Sequence, residues 1–331
     1  MDPTPALAPP TRPEQASAAD PHPEALAGRD LSGRDLSGRD LSGRDLSGAT
    51  LVGADLSGTR LVGARLRAAD LSEACLAGAE LLGADLSGAR LERCRAPRAG
   101  FGEATLERAN LSMADLSGAS LGRARLDGAD LRAANLREAR LQESSLRGAD
   151  LTQADLRRSD LGSANVSGAR LTNADLRHAR VAGLVGYRTA HWLGADIREV
   201  DFCGAYRVRR HILDENYIAE FHQRHPLLFW LWSLTSDCGR SFARWGLVTA
   251  GIVLLFAFLY ERTGLDHGHH PAGLLTALYF SVVTMTTLGY GDVQPNSPLG
   301  QLLVMGQVVL GYLALGGLIS IFGNKMSRRA D

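Results

Sequence analysis

The sequence predicts a mixed fold: a four-sided β-solenoid in the first half, then an α-helical membrane unit of two spans and a re-entrant helix. Three observations carry this. An apolar residue, nearly always Leu, recurs at every fifth position from Leu31 to Val181. Two apolar stretches near the C-terminus contain no charge. Between them lies Thr284-Met285-Thr286-Thr287-Leu288-Gly289-Tyr290-Gly291-Asp292, a short loop with glycines at alternate positions.

Residues 1–27 are rich in Pro and Ala and lack periodicity, so a disordered tail is expected there. The repeat then holds 31 positions in one phase: 27 are Leu, Val166 and Val181 are Val, and the others are Phe101 and Ala96. Two residues earlier the position is mostly Ala from Ala49 onward, and Asp or Asn often sits just before the Leu. A period of five fits neither the helical 3.6 nor the strand 2. A coil with four flat sides, one pentapeptide per side, places the Leu inward at the middle of each side and the small residue inward near a corner. Roughly eight coils at about 4.8 Å per layer make a rod on the order of 35–40 Å long. Leu fills the axis, so the rod is solid. Residues 28–47 are four identical GRDLS copies, with Arg29, Arg34, Arg39 and Arg44 at the small inward position. Arginine is costly to bury without partners, so a frayed first coil is expected. After Val181 the phase shifts by one. Ile197 and Phe202 are again five apart, so Gly183 to Leu193 reads as a loop before a last half coil.

The A-(D/N)-L-x-x pattern resembles the pentapeptide-repeat family, which implies a right-handed quadrilateral β-helix over 28–204. Some members of that family resemble DNA in shape and charge and bind DNA gyrase, which needs a strongly negative surface. Between Arg29 and Val181 there are 23 Arg, no Lys and 21 Asp plus Glu, a net of 23 − 21 = +2. DNA mimicry is therefore not expected, and with few aromatics neither is nucleic-acid binding. A ligand-sensing or partner-binding module and a spacer or assembly domain remain. The long flat faces of a repeat rod favour assembly, or interaction with a cytoplasmic protein partner.

Residues 205–240 read as connector and interfacial helices. Leu213, Tyr217, Ile218 and Phe221 share a helical face, Asp214 is placed to cap its start, and Pro226 ends it. Leu227 to Leu234, with Trp230 and Trp232, is too short to span a bilayer. It suits a helix along the cytoplasmic surface, or a buried contact with the connector. Arg207, Arg209 and Arg210 form a small basic cluster, read as a solvated face or as a contact for anionic headgroups.

Residues 241–331 read as a pore domain. Trp245 to Tyr260 is free of charge, and Phe242 and Ala243 extend it, with Arg244 snorkelling, to a first span over about 242–260. The second span covers about 299–322, where Gln301 and Gln307 are the only strongly polar side chains. Pro271 suits the entry to a half-length helix that leads into the loop, the two together covering 272–292. Arg240 and Arg244 precede the first span and Lys325, Arg328 and Arg329 follow the second, with only Arg262 between, so both chain ends are expected in the cytoplasm. Glycine reaches positive φ without a Cβ clash. Alternating glycines therefore let neighbouring peptides turn their oxygens the same way.

The loop resembles the signature of potassium channels from Thr287 through Asp292, with Leu288 where valine is most usual. The resemblance implies a selectivity filter of Thr287, Leu288, Gly289, Tyr290 and Gly291, whose backbone oxygens replace the hydration shell of K⁺, and an outer mouth shaped by Asp292. It implies a gating hinge at Gly311, against which stands a packing role shared with Gly306, Gly316 and Gly317. Leu315 and Ile319 continue that face as inner-pore lining. One loop cannot encircle an ion, so a homotetramer is implied. Some members carry Glu where Val283 stands, bonded to the filter aspartate; that bond cannot form here.

The expected function is a passive, potassium-selective channel of a bacterial inner (plasma) membrane, with a cytoplasmic repeat domain for assembly, interaction or gating. The alternatives are a less selective cation channel and a membrane-tethered scaffold with a non-conducting pore. K⁺ is the transported ion; no cofactor, transition-metal site or enzyme chemistry is expected. His267, His269 and His270 lie beside Asp266 in the outer loop, where a solvated segment is favoured over a metal or pH site. Cys75, Cys94, Cys203 and Cys238 are scattered and expected as free thiols. Lys occurs once among abundant Arg and Ala, which suits a bacterial gene of high GC content, and no cleavable signal is apparent.

Overall fold

The computed structural model describes residues 26–239 and 241–330, with side chains of the last helix described as far as Gly323. Residues 1–25 of the expected tail, Arg240, and the side chains of Lys325, Arg328 and Arg329 lie outside the described residues. The chain divides into two compact units, Met1–Gly204 and Ala205–Asp331.

The first unit is a four-sided β-helix. Parallel bridges join residues twenty apart, from Asp30↔Thr50 to Asn165↔Val185, so four pentapeptides close one coil. Each side turns through a β-turn such as that closed by Ala49 N–H to the Leu46 carbonyl at 3.0 Å. The third residue of each turn is left-handed, as at Gly48 (φ 64°) and Arg93 (φ 55°). That requirement explains why glycine recurs there. The central Leu column is sealed, with Leu51, Leu81, Leu111 and Leu141 all at 0% exposure. Burying each such side chain contributes about 1.5–3 kcal/mol. The aspartate before the Leu faces out and holds the turn: Ser32 N–H and Oγ both donate to Asp30 Oδ1, at 3.0 and 2.6 Å. Charges also stack between coils, as where Arg60 lies 3.6 Å from Asp40 and 3.4 Å from Glu80. These pairs are largely exposed, so each adds little.

The solenoid departs from expectation at both ends. The first coil is not frayed: it is laddered from Asp30, and Leu26 joins it, bonded through its carbonyl to Arg29 N–H. The arginines cost nothing like full burial, because among the described residues no coil stacks beyond theirs. Arg29, Arg34 and Arg39 are exposed, and a 330 Å³ recess is lined by Leu26, Leu31, Leu36 and Leu41 together with Arg34 and Arg39. The expected loop over 183–193 is also narrower. Val185 still bridges Asn165, and pairing resumes at Arg170↔His191, now twenty-one apart, so one residue is inserted between. Trp192 then fills a core position at 1% exposure, its indole N–H donating to the Tyr187 carbonyl at 2.8 Å.

The second unit is helical. α1 (Tyr206–Arg224) begins directly after Ala205, with Val208 and Ile212 buried. Asp214 therefore lies within the helix and does not cap it, while Leu213 and Tyr217 are exposed. α2 (Pro226–Ser236) carries Pro226 in its first turn. It makes the expected contact with the connector helix. Trp232 meets Phe221 of α1 edge-on at 5.4 Å, while Leu227, Trp230, Leu231 and Leu234 form an exposed stripe. α3 (Phe242–Thr263) is capped by Ser241, whose hydroxyl accepts from Arg244 N–H at 3.2 Å. β1 (Leu265–Asp266) pairs antiparallel with β2 (Gln294–Pro295), fastening the two ends of the segment that contains α4 (Leu274–Met285) and the loop. α5 (Pro298–Ala330) completes the unit. By length and composition α3 and residues 298–323 of α5 are suited to cross a membrane. Phe256, Tyr260, Leu265, Ala277, Phe280 and Val293 form the core between these elements.

Candidate functional site

The site grows from the C-terminal end of α4. Thr286 N–H still bonds the Val282 carbonyl, and then Thr287 and Leu288 N–H turn back to Thr284 and Val283, at 3.1 and 3.0 Å. These bonds seat the start of the loop on a helix end that carries partial negative charge, favourable to a cation. The backbone then alternates. Thr287, Gly289 and Gly291 are left-handed, with φ of 57°, 53° and 74°. A Cβ built on Gly289 or Gly291 meets nothing within 4 Å, so it is φ, not space, that requires glycine here. The carbonyls of Thr287, Leu288, Gly289 and Tyr290 accept no hydrogen bond among the described residues, whereas that of Gly291 accepts from Gln294 Nε2 at 3.3 Å. Four successive oxygens are thus without a donor among the described residues. The Leu288 and Tyr290 side chains are exposed, at 60% and 66%.

At the far end of the loop, two donors converge on one oxygen of Asp292. Tyr279 of α4 donates its hydroxyl to Oδ2 at 2.6 Å, and His270 Nε2 lies 2.9 Å from the same atom. The Tyr279 bond first, and the His270 contact after it, hold the Asp292 carboxyl below the usual carboxylate range. With Val283 apolar and buried, these two side chains are the aspartate's partners. In the sequence His270 stands out only as one of three loop histidines, and the one signal of Tyr279 is a polar tip on a largely apolar short helix. Among the described residues no group of three or more His, Cys, Asp or Glu is placed to hold a metal ion.

The remaining candidates lie on α5. Gly311 packs on the end of α4: a Cβ there would lie 2.4 Å from the Met285 carbonyl oxygen. Close approach alone therefore demands glycine at this position. Gly311 and Leu315 line a 680 Å³ apolar recess together with Met285, Thr286 and Thr287, while Ile319 is exposed and lies outside it. Below, Trp245 of α3 covers Gly317 and donates its indole N–H to the Ala314 carbonyl at 3.0 Å.

A short helix and its loop lie between two helices long and apolar enough to cross a membrane, and a four-sided solenoid precedes them in the chain. Comparison with known proteins assigns both halves. Residues 247–328 match the ion channel family and residues 30–183 match the pentapeptide repeats, in eight copies. The chain therefore carries an ion channel domain and a pentapeptide-repeat domain. It is 49% identical over 77 residues to two-pore potassium channel 1 of Arabidopsis thaliana, covering 20% of this chain and 21% of that protein. It is 36% identical over 102 residues to the voltage-gated potassium channel Kch of Escherichia coli K12, covering 29% of this chain and 24% of that protein. The chain thus spans a quarter or less of these two relatives. Among solved structures it is similar to HetL, a pentapeptide repeat protein of Nostoc sp. strain PCC 7120, at 30% identity over 54% of this chain and 88% of that one, with a TM-score of 0.33.

Proposed function

We propose that the chain is a subunit of a homotetrameric, potassium-selective channel in a bacterial inner (plasma) membrane, with both chain ends and the repeat domain in the cytoplasm. Conduction is passive. Thr287, Leu288, Gly289 and Tyr290 present backbone oxygens to a dehydrated K⁺, Thr287 adds its hydroxyl, Gly291 completes the filter, and Asp292 shapes the outer mouth. The observation that carries this reading is the alternation of left-handed backbone at Thr287, Gly289 and Gly291 beside four carbonyls without donors. The potassium channels among its relatives, each matched over part of its length, support the choice of ion. The exposed Leu288 and Tyr290, and the exposed Leu302, Met305, Val309 and Leu313 of α5, support lipid and neighbouring subunits around a shared axis. Leu315 and Ile319 then face the inner pore. The repeat domain, with its compensated charge, serves assembly or contact with a cytoplasmic protein.

The test is ion flux from liposomes holding the full chain. K⁺ efflux is expected, with reversal potentials that favour K⁺ over Na⁺. Gly289→Ala places a Cβ on a left-handed residue, at about 1–2 kcal/mol, and is expected to abolish flux while the oligomer persists. Equal K⁺ and Na⁺ permeability would favour a general cation channel; absence of flux would favour a tethered scaffold.

A further inference from the structure

Gln307 is a polar side chain in the middle of an apolar span, and it is fully buried at 0% exposure. An amide in such surroundings is costly unless its hydrogen bonds are made. Here they are made across three helices. Gln307 Oε1 accepts from the Tyr260 hydroxyl of α3 at 2.7 Å. Its Nε2 donates to the carbonyl oxygen and the Oγ of Ser281 on α4, at 3.1 and 2.7 Å. The Ser281 hydroxyl donates onward to the Val253 carbonyl of α3 at 2.8 Å. Tyr260 and Ser281 are also 0% exposed.

The placement of this network is as informative as its completeness. Gln307 lies four residues before Gly311 on α5, and Ser281 lies four residues before Met285 on α4. Gln307 meets Ser281, and one turn on Gly311 meets the Met285 carbonyl. α5 thus grips α4 at two successive turns, and Met285 is followed at once by Thr286 and Thr287. We propose that Gln307, through Ser281 and Tyr260, is a positioning residue that fixes the height of α4 against α5 and so sets the spacing of the oxygens offered by Thr287 to Tyr290. It touches no ion. The inference rests on the potassium-channel reading above. Its rival is a packing role, which predicts lost stability and no change in ion preference.

The two separate because a single substitution strands buried partners, whereas removing all the polar groups together strands few. Full-length wild type, Gln307→Leu and the triple variant Tyr260→Phe/Ser281→Ala/Gln307→Leu are compared. The readouts are Tm in K⁺ against Na⁺, and the K⁺/Na⁺ permeability ratio from reversal potentials. Gln307→Leu is expected to lower Tm in both salts. The triple variant is expected to recover the wild-type Tm in Na⁺, yet to lose much of the K⁺-specific rise, with a permeability ratio down by about fivefold or more, the equivalent of one hydrogen bond. A triple variant with the wild-type K⁺ rise and ratio overturns the proposal. If the triple variant does not assemble, Tyr260→Phe and Ser281→Ala must each reduce the K⁺-specific rise, and no change in either overturns it. Wild type with a K⁺-specific rise but no flux defeats the conduction reading, and the positioning claim is then judged on Tm. Wild type with no K⁺-specific rise defeats the positioning claim as well.

Discussion

Thr287 is a β-branched residue held at φ 57°, a conformation it rarely adopts unaided. Backbone bonds from Thr287 and Leu288 to Thr284 and Val283 hold it there. The sequence made the two loop glycines legible as left-handed positions, but not this threonine, whose conformation depends on those bonds. The partners of Asp292 were equally hidden, because His270 and Tyr279 are 22 and 13 residues away along the chain. Their effect has a sign. A carboxyl whose pKa is depressed in the folded state contributes stability that is full above its unfolded value, near 4, and is lost as pH falls through the depressed one. Asp292 should therefore titrate lower than an ordinary aspartate, and Tyr279→Phe, which removes the first cause of the shift, should move its midpoint upward. Carboxyl NMR titration of the micelle-bound protein reads this directly. Cys94 gives a second residue-scale test. Burial pushes its thiol up to about 12, whereas Cys203 is exposed. Maleimide at neutral pH should label Cys203 quickly and Cys94 only after unfolding.

At the scale of elements, the solenoid was the more legible half, because each position in its five-residue unit carries one job. Leu fills the axis, Ala the corner, Asp the turn, and glycine the left-handed residue. The connector was harder. Leu213, Tyr217 and Phe221 do share a helical period, but α1 begins at Tyr206 after an Ala205 with no capping side chain, so no local signal marked the start. Gly311 carries a close contact that the sequence alone does not show. A hinge loses only bending on substitution, but a Cβ 2.4 Å from the Met285 carbonyl oxygen must move a helix. Gly311→Ala is expected to destabilise the helical unit by about 1–3 kcal/mol. Gly251→Ala on α3, where nothing lies within 4 Å of the added carbon, should be neutral or stabilise by up to about 1 kcal/mol. Thermal melts of the two variants in one detergent decide between the roles.

At the scale of the whole molecule, two units with separate cores should melt separately. The repeat domain keeps Asp30, Asp35, Asp40, Asp45 and Asp55 below their usual range, chiefly through hydroxyl bonds from the serine two residues on. The stability these give is present at neutral pH and drains away as pH falls through the depressed values, so that unit's transition should drop in strong acid. On the potassium-channel reading, the helical unit's transition should instead rise with K⁺ concentration through ligand linkage. Calorimetry across both variables would show the two responses on different peaks. The twenty-residue repeat of the bridges also makes the solenoid a clock face with four hours. Excising one whole circuit, for instance residues 107–126, shortens the column and leaves the chain departing from the same wall. Excising a single pentapeptide keeps the central leucine column inside, yet shifts the departure by a quarter turn, so any task that depends on bearing should fail while the fold survives.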